Sequence, residues 1–255
     1  MPFTISHAAF AYPLKYIHKK SLSVTGLVLG AMSPDFEYFI YMEPYRSIGH
    51  TWQGFFLQAL PLSFLLAFLF HIIIKQSLAL HLPSVFHLQE RAFAMSSSSN
   101  RKWNLSQLFI FLFSCFIGFV THIMLDASTH QNGYIVQLFG YSNVTILNLP
   151  LYKFLQYSLS IAGLVIIGAH LLIRIMRQPV IKKAKVRVGI SFVQYWLIAF
   201  FVMILIVAFK FMLTSSTNQL GIIIVAPITA LFVGITVSSV IDLLVQKKRK
   251  KSYYP

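Results

Sequence analysis

His122, Asp126 and His130 recur at four-residue intervals in "THIMLDASTH" (121–130), which closes an apolar run beginning near Leu105. On a helix each four-residue step turns the direction by only about 40°, so the three share one stripe within roughly 80°. Ionisable groups at membrane depth are costly and mark functional sites. Histidine with carboxylate is the ligand set of Zn²⁺ and, with more oxygen, of Mn²⁺ or Fe²⁺. Two side chains at i and i+4 can grip one ion, the arrangement that HExxH helices use. A divalent ion so held lowers the pKa of water towards neutrality and polarises a phosphoryl or carbonyl oxygen.

The chain has only six acidic residues, and four of them fall near this chemistry: Asp35, Glu37 and Glu43 in "SPDFEYFIYMEP" (33–44), and Asp126. "GHTWQGFF" (49–56) places His50 at the start of another apolar run. Topology by charge collects Asp35, His50, His122, Asp126 and His130 near one membrane face. Each has a plainer reading when taken alone. Asp35, after Pro34, can cap a helix over "FEYFIYM", and Glu37 can favour that helix's N-terminus. His18, His71, His81, His87 and His170 read as interfacial or hydrogen-bonded residues near helix ends or in a loop. The signal is the joint occurrence.

The elements that must position these residues are membrane helices. Of 255 residues, 57% are hydrophobic and 11% charged, against about 25% charged in a soluble domain. Five runs, near 54–74, 105–125, 151–173, 190–213 and 221–245, are long enough to cross a bilayer, which takes about 20 helical residues. Basic residues alternate between the links. Segments 75–104 and 174–189 and the tail "KKRKK" (247–251) are rich in them, whereas 126–150 and 214–220 have none. By the positive-inside rule the basic segments and the C-terminus are cytoplasmic, and the His/Asp cluster is outside. The net charge of +15 is thus a topological signal, with anionic lipid as a second partner and nucleic acid excluded. "SSSSN" (96–100) reads as a flexible cytoplasmic loop.

The apolar stretch 22–32 has only 11 residues, about 17 Å as a helix, so it is either a sixth span or a short re-entrant or buried helix. The expected fold is all-α: a polytopic helical membrane protein forming one integral-membrane domain over 1–255. Residues 1–150 carry the site and 151–255 supply supporting helices. The lone Cys115 rules out an intramolecular disulfide, and the first ten residues do not read as a cleaved signal peptide.

Four blocks in order, "MPFTISHAA", "GAMSPDFEYF", "GHTWQGFFLQALPL" and "THIMLDASTH", resemble the signature of domain-of-unknown-function family 4184, a bacterial membrane-protein family. The resemblance covers 1–150; the later helices match only in hydropathy. It departs from the family pattern at Gly49, Ala59, Leu125 and Ser128, none of them a ligand candidate. The order of blocks is also similar to membrane-bound metal-dependent hydrolases and, more distantly, to zinc-dependent phospholipases C. The resemblance implies a metal-dependent hydrolase of the bacterial cytoplasmic membrane, acting on a phosphoester or lipid-like substrate. It adds His7 to the site and implies the metal ligands His7, Asp35, His50, His122, Asp126 and His130. The expected ion is Zn²⁺, with Mn²⁺ or Fe²⁺ as alternatives. By the same resemblance, Asp35 and Glu37 are the expected catalytic carboxylates, with Glu37 as the spare general base. If His7 shares the site, 22–32 is better read as re-entrant or buried than as a simple span. Two other classes use the same cluster: a transporter or ion/proton-binding protein, and a scaffold whose closed metal shell only locks the fold.

Overall fold

Five helices long and apolar enough to cross a membrane dominate the computed structural model, which describes residues 4–18, 21–97, 104–180 and 188–253. The protein is therefore an all-α integral membrane protein. The basic residues of 181–187, Lys19, Lys20, Arg101 and Lys102, and residues 98–100 of the serine-rich loop, lie outside the described residues. Short helices α1 (His7–Ala11), α2 (Leu14–Ile17), α3 (Val24–Met32) and α4 (Phe36–Tyr41) precede the first long one. That helix, α5 (Trp52–Leu80), is followed by α6 (Leu88–Ser97) and by the long α7 (Leu105–Thr129). A short α8 (Tyr134–Leu138) and a small antiparallel hairpin, β1 (Thr145–Ile146) with β2 (Leu149–Pro150), lead to three long helices. These are α9 (Leu151–Met176), α10 (Phe192–Leu213) and α11 (Gln219–Tyr253).

Helix α5 departs from regular winding where its sequence requires it. Pro61 has no N–H to donate and its ring crowds the carbonyl four residues back. A wider π-turn at Phe55–Ala59 immediately precedes it, the local adjustment that absorbs such a defect. The N-terminus of α5 is closed by Thr51, whose side chain accepts from the Gly54 amide at 3.0 Å.

The chain divides into two compact units. The first comprises Met1–Phe36, Arg46–Leu65 and Lys102–Leu172. Its centre is the packing of α3 on α7, where small residues let two backbones touch. A Cβ on Gly26 would meet the Phe111 carbonyl at 2.6 Å, and one on Gly118 would meet the Ala31 amide at 2.6 Å. The start of α3 is capped by the Ser23 side chain, and the Ser23 amide donates to Ser114 Oγ on α7 at 2.7 Å. Ala11, Leu22, Leu27 and Ala31 form the buried apolar cluster around this crossing. The stretch left open between a sixth span and a short packed helix contains nine-residue α3, about 13 Å long. It lies against α7 and is not among the five span-length helices.

The second unit comprises Glu37–Tyr45, Leu66–Arg101 and Ile173–Pro255. Here α10 and α11 pack along their lengths, and their polar fixed point is Asp242, fully buried. Its Oδ1 accepts from the Gly189 and Ile190 amides at 2.7 and 3.1 Å; its Oδ2 accepts from Ser77 Oγ and Gln246 Nε2, both at 2.8 Å. His81 is hydrogen-bonded, as its plainer reading had it, but it is 1% exposed rather than in an open loop. It stacks on Tyr195 with ring centroids 4.2 Å apart. The reason is that the chain turning out of α5 still has a polar ring to bury against its neighbours. Its Nδ1 and Nε2 lie 2.8 and 3.1 Å from the carbonyls of Ser77 and Ile190.

Candidate metal centre

Four polar atoms from three segments of the first unit converge. Asp35 ends the tight turn Ser33–Asp35, which Pro34 starts with its fixed φ. His50 precedes the capped start of α5, and His122 and Asp126 sit one turn apart on α7. His50 Nε2 lies 3.5 Å from Asp35 Oδ1 and 3.4 Å from Asp126 Oδ2. His122 Nε2 lies 3.8 Å from the same Asp35 oxygen and 3.5 Å from the same Asp126 oxygen. These gaps are too long for hydrogen bonds. Gaps of this size also separate atoms able to share one ion. A tetrahedral ion with bonds of about 2.0–2.2 Å spaces its ligand atoms about 3.3–3.6 Å apart.

The protonation pattern supports the same fit. His122 Nδ1 is 2.7 Å from the Ala31 carbonyl. A carbonyl can only accept, so Nδ1 carries a proton and Nε2 is the nitrogen that faces the centre. His122 Nε2 faces two carboxylate oxygens, is fully buried, and has no hydrogen-bond partner among the described residues. A buried nitrogen set between two carboxylates calls for positive charge there, which a divalent ion or a proton on Nε2 would supply. Fixing the far nitrogen on a carbonyl is also how metal-binding histidines are held in one tautomer. Asp35 is braced likewise: its second oxygen accepts from Thr4 Oγ1 at 2.8 Å.

His7 lies alongside rather than among these four atoms. Its ring stacks on His122, centroids 3.7 Å apart and planes 12° from parallel, and its Nε2 is 3.7 Å from the other Asp126 oxygen, Oδ1. Neither ring nitrogen has a hydrogen-bond partner among the described residues. Burial pushes its imidazole from the ordinary 6.5 down to about 2; the neighbouring His122 acts in the same direction and Asp126 opposes it. Ligand atoms of His7, His122 and Asp126, and separately of Asp35, His50 and His122, all lie within 4.8 Å of one another.

His130 is arranged differently. Its Nδ1 is 3.4 Å from Asp126 Oδ1 but also 3.2 Å from the Asp126 carbonyl, and its Nε2 meets the Gln156 amide nitrogen at 3.1 Å. Both nitrogens are thus engaged at the end of α7, and burial lowers its pKa. Glu37 is 1% exposed on α4, belongs to the second unit, and is a member of neither ligand set.

Two participants were not singled out from the sequence. Thr4 is a brace that only contact with Asp35 reveals. Arg46 is half-exposed, with Nη2 3.1 Å from His50 Nε2 and 3.5 Å from Asp126 Oδ2. A signal for it existed: it is the one Lys or Arg between Lys20 and Lys75, in a segment whose neighbours are acidic and histidine-rich.

No curated protein and no solved structure matches the chain. The four convergent residues and His7 all fall within residues 1–240, over which the chain matches the model of one family. That match makes it a member of the domain-of-unknown-function family DUF4184.

Proposed function

We propose that this protein is a membrane-bound metal-dependent hydrolase of the bacterial cytoplasmic membrane, acting on a phosphoester or lipid-like substrate. Asp35 Oδ1, His50 Nε2, His122 Nε2 and Asp126 Oδ2 would hold one divalent ion, Zn²⁺ by the nitrogen–oxygen donor set, with Mn²⁺ or Fe²⁺ as alternatives. The observation that carries this reading is the buried His122 Nε2, which has no hydrogen-bond partner among the described residues and is directed at two carboxylates. When bound, such an ion supplies Lewis acidity, polarising a substrate oxygen and acidifying water. The chain's own groups do the rest. Ala31 and Thr4 hold the ligands in register, His7 keeps one wall neutral, and Asp126 Oδ1 faces the two outlying histidines.

The charge alternation of the links supports a cytoplasmic C-terminus and a centre opening to the outer face. Reporter fusions at the 126–150 and 174–189 links test that topology: the first should read outside and the second inside.

The deciding experiment measures metal by mass spectrometry in detergent-purified protein, beside a His122→Ala/Asp126→Ala double variant. Stoichiometric metal in the wild type, lost in the variant, supports the reading and leads to hydrolysis assays on phosphoesters and phospholipids. A folded wild type that stays metal-free after incubation with Zn²⁺ and Mn²⁺ overturns it and turns the cluster into a proton- or cation-binding site of a transporter.

A further inference from the structure

We infer that Arg46 is the anion-binding residue of this centre, poised to take the phosphate of the substrate in its guanidinium; the inference rests on the metal reading above. Three observations lead to it. Arg46 Nη2 contacts His50 Nε2 at 3.1 Å and stands 3.5 Å from Asp126 Oδ2, the two atoms on its side of the four-atom set. The Arg46 side chain keeps 51% of its surface exposed, while the Asp35 and Asp126 side chains are 4% and 11% exposed. It is also the sole Lys or Arg in the segments 21–74 and 103–152 that supply the cluster.

The chemistry follows from counting lone pairs. The Nε2 of a neutral histidine has one. A nitrogen that gives it to an ion cannot also accept a hydrogen bond, so coordination by His50 and its contact with Arg46 are alternatives. A divalent ion would also repel the guanidinium from Asp126. Either effect releases a planar fork of five donors at the open rim of the site. Such a fork matches two oxygens of a phosphate. Charge points to the same ligand: Asp35 and Asp126 balance a divalent ion, leaving Arg46 as the surplus positive charge. The centre is therefore built for an anionic phosphoester rather than a neutral ester or amide.

The test reads two affinities in opposite directions. Zn²⁺ affinity is measured by chelator competition in wild type, Arg46→Gln and Arg46→Lys. Binding to the Zn²⁺-loaded proteins is then measured calorimetrically with inorganic phosphate, and with phosphatidic acid in detergent micelles against phosphatidylcholine micelles. Arg46→Gln should hold Zn²⁺ at least as tightly as wild type and bind phosphate about 10- to 100-fold more weakly, the worth of a charge-assisted pair. Arg46→Lys should recover part of the loss. Phosphatidic acid bound without inorganic phosphate would place the phosphate on a lipid headgroup, and both bound would admit a water-soluble ester. Unchanged binding of phosphate and phosphatidic acid in Arg46→Gln, parallel loss of Zn²⁺ and of these ligands, or binding of neither inorganic phosphate nor phosphatidic acid by loaded wild type overturns the inference while leaving the metal reading standing. A wild type that takes no Zn²⁺ overturns both.

Discussion

His7 and His122 lie face to face, ring centroids 3.7 Å apart and 12° from parallel. Lone pairs of imidazole nitrogens lie in the ring plane, so those of two stacked rings run side by side instead of converging. An ion in line with His122 Nε2 is out of line with His7, and the two residues are therefore not equivalent. Replacing His122 by alanine should abolish stoichiometric metal. His7→Ala should keep it with affinity reduced about 10- to 100-fold, the usual cost of losing a supporting group. Chelator titration of the two variants separates them. Equal losses would mean that both rings bind the ion directly.

Thr4 is the most economical test of how Asp35 is held. Its hydroxyl donates to Asp35 Oδ2 at 2.8 Å while Oδ1 faces the two histidines. Thr4→Val keeps the shape and removes the donor. Metal affinity should fall about 10-fold or more, with the thermal unfolding midpoint of the detergent-solubilised protein lowered by a small amount. Affinity equal to wild type would show that the turn alone orients Asp35.

Acid should destabilise the chelator-treated protein through His7. Its folded pKa is depressed from 6.5 to about 2 by burial. The unfolded chain therefore binds a proton that the folded chain refuses. The stabilising contribution is fully present above pH 6.5 and is lost as pH falls from there towards 2, at up to about 1.4 kcal/mol per pH unit. Unfolding midpoints between pH 7.5 and 5 should drop in wild type, and drop less steeply in His7→Asn. Parallel slopes would assign the acid sensitivity to other groups.

Asp242 should matter to stability and not to metal. It is fully buried and accepts from two backbone amides and two side chains within the second unit. Asp242→Ala leaves those donors buried without a partner, at about 1–3 kcal/mol for each that finds no replacement. We expect a marked fall in the unfolding midpoint with metal content unchanged in the fraction that folds. Loss of metal from folded protein would contradict this separation.

Gly118 tests the crossing that brings Asp35 and His122 together. A Cβ there would press on the Ala31 amide at 2.6 Å, and the adjoining Ala31 carbonyl fixes the His122 tautomer. Gly118→Val should lower both the unfolding midpoint and metal affinity, whereas a substitution at Gly168, where a Cβ meets nothing within 4 Å, should change neither.

The sequence by itself determined the architecture, because hydropathy over some twenty residues is a local property that the bilayer reads directly. Each of the five apolar runs lies on one of α5, α7, α9, α10 and α11. Spacing alone also put His122 and Asp126 on one face of α7, since a helix fixes the geometry of residues four apart. Tertiary structure decided everything that depends on the meeting of distant segments. It placed Asp35 and His50 against His122, engaged both nitrogens of His130 within hydrogen bonds, and set Glu37 in the other unit. Periodicity carries no information about such meetings: they follow from the close α3–α7 crossing at Gly26 and Gly118 and from the turn at Pro34. Arg46 and Thr4 entered for the same reason, because a side chain's value as a partner depends on what another segment brings within 3 Å of it.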